Sequence, residues 1–237
     1  MTFLYNFYEK IRKEAVKTQL RKKKMNAESS LRNLFNILAD LRKEFNFLNI
    51  EAERLNEIAM NAAVTAGQTG KAIRVYTEIS NHIASSSKKM QNFIVKNKNE
   101  VNSILGLTLK VLSNNMLNVK YHEMNTNKSL IENAKHISEK IVELKANDYS
   151  IIKELVGHIY QTKTYLRTIL QLQYKLFGVY NCLQIEAIQL EGNAYHAIKT
   201  LSESLFNSFE ITINCIDKLF SILKKISRII KNLLLNF

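Results

Sequence analysis

Residues 61–78 read NAAVTAGQTGKAIRVYTE and hold two of only six glycines in a 237-residue chain that has no proline. With so few breakers, and 46% hydrophobic and 23% charged residues, long helices are the default reading. Gly67 and Gly70 therefore matter: glycine supplies the backbone freedom that a helix stop needs. A seam of apolar residues at three- and four-residue spacing leads up to them: Leu31, Leu34, Leu38, Leu41, Phe45, Leu48, Ala52, Leu55, Ala59 and Ala62. Such spacing keeps one stripe of a helix turned toward a partner helix, as in a coiled coil.

The same pattern returns twice. One seam runs Leu166, Ile169, Gln173, Leu176, Tyr180, Leu183, Ala187, Leu190. It stops at Glu191–Gly192–Asn193, a second glycine turn. Another runs Phe206, Phe209, Ile213, Ile216, Phe220, Leu223, Ser227, Ile230, Leu234, Phe237, with Leu219, Ile222, Ile226, Ile229 and Leu233 in a parallel row. Between the glycine turns lies the polar run 125–129, which leads into Ser129-Leu130-Ile131-Glu132, the spacing of a capping box. A third turn is placed there, with 145–150 as the rival position. Four helices of about 66, 55, 63 and 45 residues follow, roughly 65–100 Å long at 1.5 Å rise per residue. The expected fold is all-α: an elongated antiparallel four-helix bundle with coiled-coil-like packing, in one domain spanning 1–237. Its first hairpin is 1–125 with a tip near 67–70, and its second is 129–237 with a tip near 191–193.

The two tips share more than glycine. Val64-Thr-Ala66-Gly-Gln68 before the first matches Ile185-Glu-Ala187-Ile-Gln189 before the second. Ala72-Ile73-Arg74-Val75-Tyr76-Thr77-Glu78 after the first matches Ala197-Ile198-Lys199-Thr200-Leu201-Ser202-Glu203 after the second. The chain reads as a duplicated helical hairpin whose second turn is four residues longer.

Ile58-Ala-Met60-Asn61-Ala62-Ala63-Val64, with Ala66, Gly70, Ala72-Ile73 and Thr77-Glu78, resembles the signalling tip of bacterial chemoreceptors, the methyl-accepting chemotaxis proteins. The likeness covers about 30 residues around the first turn and, more weakly, about 25 around the second. It departs at Thr65 and Gln68, where the family carries a Glu and an Arg through which its dimers associate into trimers. The resemblance implies a bundle built from two hairpins, here within one chain. It also implies a tip that binds a coupling adaptor and a histidine kinase. The residues that would meet such a partner are Val64, Gln68, Gly70, Ile73 and Tyr76, with Ile185, Gln189, Gly192, Ile198 and Leu201. The alternative is that Val64, Ile73, Ile185 and Ile198 pack the two hairpins together.

Charge is concentrated at the chain ends. Residues 1–25 hold eight Lys/Arg against two Glu, and residues 211–237 hold five against one Asp, in a chain of net +13. Lys22, Lys23, Lys24, Lys224, Lys225, Arg228 and Lys231 are candidates for a basic pole facing an anionic membrane surface. Nucleic acid is the weaker candidate partner, because no groove-reading module or stacking platform is visible.

Enzymatic chemistry finds no support. None of the five histidines follows a Glu by three residues, so the di-iron bundle motif is absent. Glu78–His82, Glu132–His136 and Glu154–His158 read as stabilising pairs on one helix face. There is no CxxC, HExxH or GxxxxGK[ST], and no cofactor is expected. Cys182 and Cys215 are too few for a disulfide framework, read as small buried hydrophobes, and suit a reducing cytoplasm. The chain carries no run of 18 apolar residues and no recognisable secretory signal, so a cytoplasmic location is expected, at the inner face of the membrane if the basic pole docks there. The two functional readings are a chemoreceptor-like signalling rod and a structural scaffold or peripheral membrane protein.

Overall fold

The structure, a computed structural model, describes the backbone of residues 2–69, 73–126, 134–188 and 190–235. It describes the side chains of 29–30, 32–65, 76–124, 135–188 and 190–232. Four helices account for nearly all of this: α1 (Thr2–Thr69), α2 (Ile73–Thr126), α3 (Ala134–Ile188) and α4 (Gly192–Leu235). They contain 68, 54, 55 and 44 residues. No strand occurs among the described residues, and the all-α, antiparallel four-helix bundle is the fold.

Cross-helix contacts give the order and direction of packing. Ser80 and Ser87 on α2 donate to the carbonyl oxygens of Ala59 and Ala52 on α1, at 2.7 and 2.6 Å. Numbers rise on one helix as they fall on the other, so α1 and α2 are antiparallel neighbours. Between α2 and α3, Phe93 meets Tyr165, Gln173 Nε2 reaches Met90 Sδ at 3.1 Å, and Glu100 meets His158. Between α3 and α4, Tyr180 packs on Phe206, and Tyr174 and Phe177 both pack on Phe209. Ser208 Oγ donates to Glu51 Oε2 at 3.3 Å and Cys215 Sγ to the Glu44 carbonyl oxygen at 3.3 Å, which closes the ring from α4 back to α1.

The chain forms two compact units, each made of a piece of every helix. Unit 1 comprises Met1–Leu38, Ser103–Gly157 and Lys225–Phe237; unit 2 comprises Ala39–Asn102 and His158–Lys224. The segments that flank both glycine turns thus belong to unit 2, and those that carry both chain ends belong to unit 1. Inside unit 1, Asn114 Nδ2 on α2 donates to Oδ1 of Asp148 on α3 at 2.7 Å. Asp148 is fully buried, and that burial raises its carboxyl above the usual range, an effect the Asn114 bond opposes.

The first seam is the core of α1: Leu34, Leu41, Phe45, Leu48, Ala52, Leu55 and Ala62 are each wholly buried. On α3, Leu166, Ile169, Gln173, Leu176 and Leu183 are buried as the second seam requires, and Tyr180 only partly. The third seam needs correction. Ile216, Leu223 and Ile230 are buried as the seam requires, but Phe206, Phe209, Ile213 and Phe220 are half-buried, and the α4 core also takes in Leu201, Leu205, Ser208, Thr212, Cys215, Leu219 and Ile226. The bulky rings sit beside that core because they pack against Tyr174, Phe177 and Tyr180 across the α3–α4 interface. Small hydroxyls occupy the tighter centre.

The turns shift slightly. The second lies between Ile188 and Gly192, so Gly192 and Asn193 already belong to α4, not to the turn. The third lies between Thr126 and Ala134; residues 145–150 are helical, and the capping box Ser129–Glu132 lies outside the described residues. Gly192 has φ of 63°, a left-handed conformation that side-chain-bearing residues resist. Gly178, inside α3, has ordinary helical backbone and open space where a Cβ would go. Opposite effects are expected in denaturant unfolding. Gly192→Ala should destabilise by about 1–2 kcal/mol, whereas Gly178→Ala should stabilise by roughly 0.5–1 kcal/mol.

Candidate protein-docking site

Four helix ends meet in unit 2: the end of α1, the start of α2, the end of α3 and the start of α4. Tyr76, one turn into α2, is wholly buried, and its phenol is held above its usual range first by that burial and then by the charge of Glu186 on α3. Gln184 of α3 donates through Nε2 to Ser202 Oγ of α4, and Leu190 N–H donates to the Ala187 carbonyl oxygen at 3.2 Å as α3 ends. On α1, Thr65 Oγ1 donates to the Asn61 carbonyl oxygen at 2.9 Å, one turn back in its own helix. The Tyr76 hydroxyl is buried without a hydrogen-bond partner among the described residues, and Glu186 acts on it only through its charge.

The sequence-nominated contact residues separate into two groups. Val64 and Ile185 are exposed, at 61% and 59% of their surface. They do not pack the hairpins together. Tyr76, Ile198 and Leu201 are buried, which corrects their nomination: their side chains form the core under the turns and present no surface to a partner. Gly192 is exposed at the start of α4. Gly70 and Gln189 lie outside the described residues, as do the side chains of Gln68 and Ile73.

Two further residues belong to the exposed group. Met60 on α1 is 55% exposed and Ile188 at the end of α3 is 84% exposed. Both are large apolar residues off the core line, which was the signal available in the sequence: neither fits the seam that its neighbours Ala59, Ala62 and Ala187 define. Each hairpin thus turns two large apolar side chains to solvent on its first helix, just before the turn.

The two halves match in burial as well as in sequence. The offset that pairs Val64 with Ile185 also pairs Phe45 with Leu166, Leu48 with Ile169, Ala52 with Gln173, Leu55 with Leu176 and Ala62 with Leu183, and all ten are buried. Past the turns, the offset that pairs Ile73 with Ile198 also pairs Tyr76 with Leu201, Ser87 with Thr212, Met90 with Cys215 and Val101 with Ile226, again all buried. Equivalent positions have equivalent environments far beyond the segment in which the repeat is legible.

No protein-family model matches the chain, and no curated protein does. Among solved structures, the haptoglobin-hemoglobin receptor of Trypanosoma congolense matches at 14% identity over 90% of this chain and 85% of that chain, with a TM-score of 0.26. So low a score carries no argument here, and the bundle is established by its own helices and contacts.

The candidate basic residues are exposed where their side chains are described. Lys225, Arg228 and Lys231 lie on α4 in unit 1, and Lys224 on α4 in unit 2; the side chains of Lys22, Lys23 and Lys24 lie outside the described residues. No described helix is long and apolar enough to cross a membrane.

The reactive groups are held in structural roles. His158 Nδ1 on α3 lies 2.5 Å from Glu100 Oε2 on α2, so this histidine ties two helices and does more than pair along its own face. His136 Nδ1 lies 4.0 Å from Glu139, and burial followed by the charge of Lys145 lowers the pKa of His122. Among the described residues no three His, Cys, Asp or Glu side chains gather as a metal site. Cys215 is buried, and its pKa is pushed up to about 12, by burial first and by Glu44 next. It is a protonated structural thiol. Cys182 is exposed, contrary to expectation, because it falls off the α3 core line one residue before Leu183. A disulfide-exchange thiol reagent should therefore label one cysteine per native chain and the second only after unfolding. Equal labelling of both in the native protein would contradict the packing of α4 on α1.

Proposed function

We propose that the chain is a non-enzymatic signalling module of chemoreceptor-like plan, which docks a protein partner at the turn end of unit 2. The observation that carries this reading is the exposed apolar residue at the repeat-matched positions Val64 and Ile185, with Met60 and Ile188 also exposed before the turns. Apolar side chains that cluster in water mark a contact surface, whereas ones scattered singly are ordinary. Exposure at the repeat-matched positions Val64 and Ile185 gives two similar faces, one per hairpin. By the chemoreceptor resemblance, the partner is a coupling adaptor or a histidine kinase. A cytoplasmic location goes with that reading.

Signalling in such a module needs a change that the partner can sense. Tightly packed helix interfaces switch between discrete packings and do not deform continuously. Tyr76 is the candidate reporter of such a change, since its ring is buried one turn into α2 and its phenol feels the charge of Glu186 on α3. A second reading, a structural scaffold in which the turns only connect helices, is favoured by the burial of Tyr76, Ile198 and Leu201.

Val64→Glu combined with Ile185→Glu separates the two. Both sites are exposed, so folding should be unaffected, whereas Tyr76→Glu would damage the core and test nothing. The chain should bind the chemotaxis-type adaptor or kinase of its own cell and alter the rate of kinase autophosphorylation. The double variant should weaken binding on the order of tenfold or more, as loss of two central interface residues does. No binding and no effect on the kinase by the wild-type chain would sink the signalling reading and leave the scaffold.

A further inference from the structure

We infer that unit 1 docks on an anionic lipid surface, independently of the partner site in unit 2. The first observation is the partition of charge. Unit 1 holds 19 Lys/Arg against 9 Asp/Glu, a net of +10, and unit 2 holds 15 against 12, a net of +3. Most of the chain's +13 thus resides in the smaller share of its length. On α4 no acidic residue follows Asp217, and Lys225, Arg228 and Lys231 are all exposed in unit 1, on the side away from the buried Leu223, Ile226 and Ile230.

The second observation is apolar. Val142, Tyr149 and Val156 on α3 are 67%, 65% and 49% exposed, and their seven-residue spacing sets them in one line along the helix. In unit 2 the same line carries Phe177, half-buried against Phe209 of α4, and Gln184, which is exposed and donates to Ser202 Oγ. An exposed aromatic-aliphatic line in a strongly cationic unit is the combination that interfacial helices use: apolar groups enter the headgroup boundary while Lys and Arg meet the phosphates. Charge complementarity selects the anionic bilayer over a neutral one. The apolar line selects it over nucleic acid, whose phosphate backbone offers Val142 and Val156 nothing to bury against.

The chain has no tryptophan, so one can be introduced as a reporter. Tyr149→Trp replaces an exposed ring in unit 1, and Phe47→Trp, 49% exposed in unit 2, is the control. Each full-length variant is mixed with phosphatidylcholine vesicles, with or without phosphatidylserine, and tested by flotation and by tryptophan emission. The wild type and both variants should float with the phosphatidylserine vesicles at low salt and not with the neutral ones. Emission should move to shorter wavelength for Tyr149→Trp alone. Replacing Lys225, Arg228 and Lys231 together by Gln should lower the partition coefficient on the order of a hundredfold, at about fivefold for each cation near the surface. Three outcomes would overturn the inference: no flotation at low salt, a shift of the Phe47→Trp reporter equal to that of Tyr149→Trp, or Tyr149→Trp emission already shifted without vesicles in a concentration-dependent way. The last would show that a second copy of the chain covers the surface.

Discussion

Everything in this molecule depends on burying an apolar stripe that returns every three to four residues along helices with no proline to interrupt them. A single helix of that kind cannot exist alone in water, because its stripe stays wet. Four of them close a ring in which α1 meets α2, α2 meets α3, α3 meets α4, and α4 meets α1. The interior is not purely hydrocarbon. Ser80 and Ser87 bond across to α1, while Thr108 and Thr162 satisfy their hydroxyls on carbonyl oxygens one turn back in their own helices. Short hydroxyl residues let the backbones approach, and these four meet the demand that buried polar groups be paired, whereas the Thr212 hydroxyl is buried without a partner among the described residues.

The ring also settles what is left for other partners. Because the core absorbs Tyr76, Ile198 and Leu201, the apolar side chains that remain outside stand out as surplus to folding. In unit 2 they include Met60, Val64, Ile185 and Ile188 before the turns, as well as Phe47, Ile50, Val95, Tyr160, Tyr174 and Ile211 further along the helices; in unit 1 they include the line Val142, Tyr149 and Val156. The first set lies on a surface that carries little net charge per unit, and the second in the unit that holds most of the positive charge. That contrast supports the proposals of a protein partner for the first set and an anionic bilayer for the second.

Much of this was legible in the residues. The α1 seam was readable because nearly every core position is Leu, Ala or Phe, and helix ends near 67–70 and 191–193 were readable because glycine marks them. Part of the α4 core was misread for a physical reason: Phe206, Phe209 and Phe220 are more hydrophobic than Ser208, Thr212 and Cys215, so hydrophobicity alone points one position aside there, while Ile216, Leu223 and Ile230 are buried as read. Which residues near the turns stay exposed was only half legible. Val64 and Ile198 look alike in sequence, and only the position of the neighbouring hairpin decides that one faces water and the other the core. The tie from Glu100 to His158 joins residues 58 apart, which no local spacing rule could suggest.

The central claim is that the two hairpins come together turn beside turn, with Val64 and Ile185 on outward surfaces of one bundle. Spin labels at these two positions, with Cys182 and Cys215 replaced by serine, measure it directly by pulsed dipolar spectroscopy. Both sites are exposed and accept a label without disturbing the core. One narrow distance distribution at roughly 20–30 Å is expected, the width of a four-helix bundle plus its side chains. A broad distribution, or one centred far beyond that width, would mean that the hairpins do not share a core at their turns.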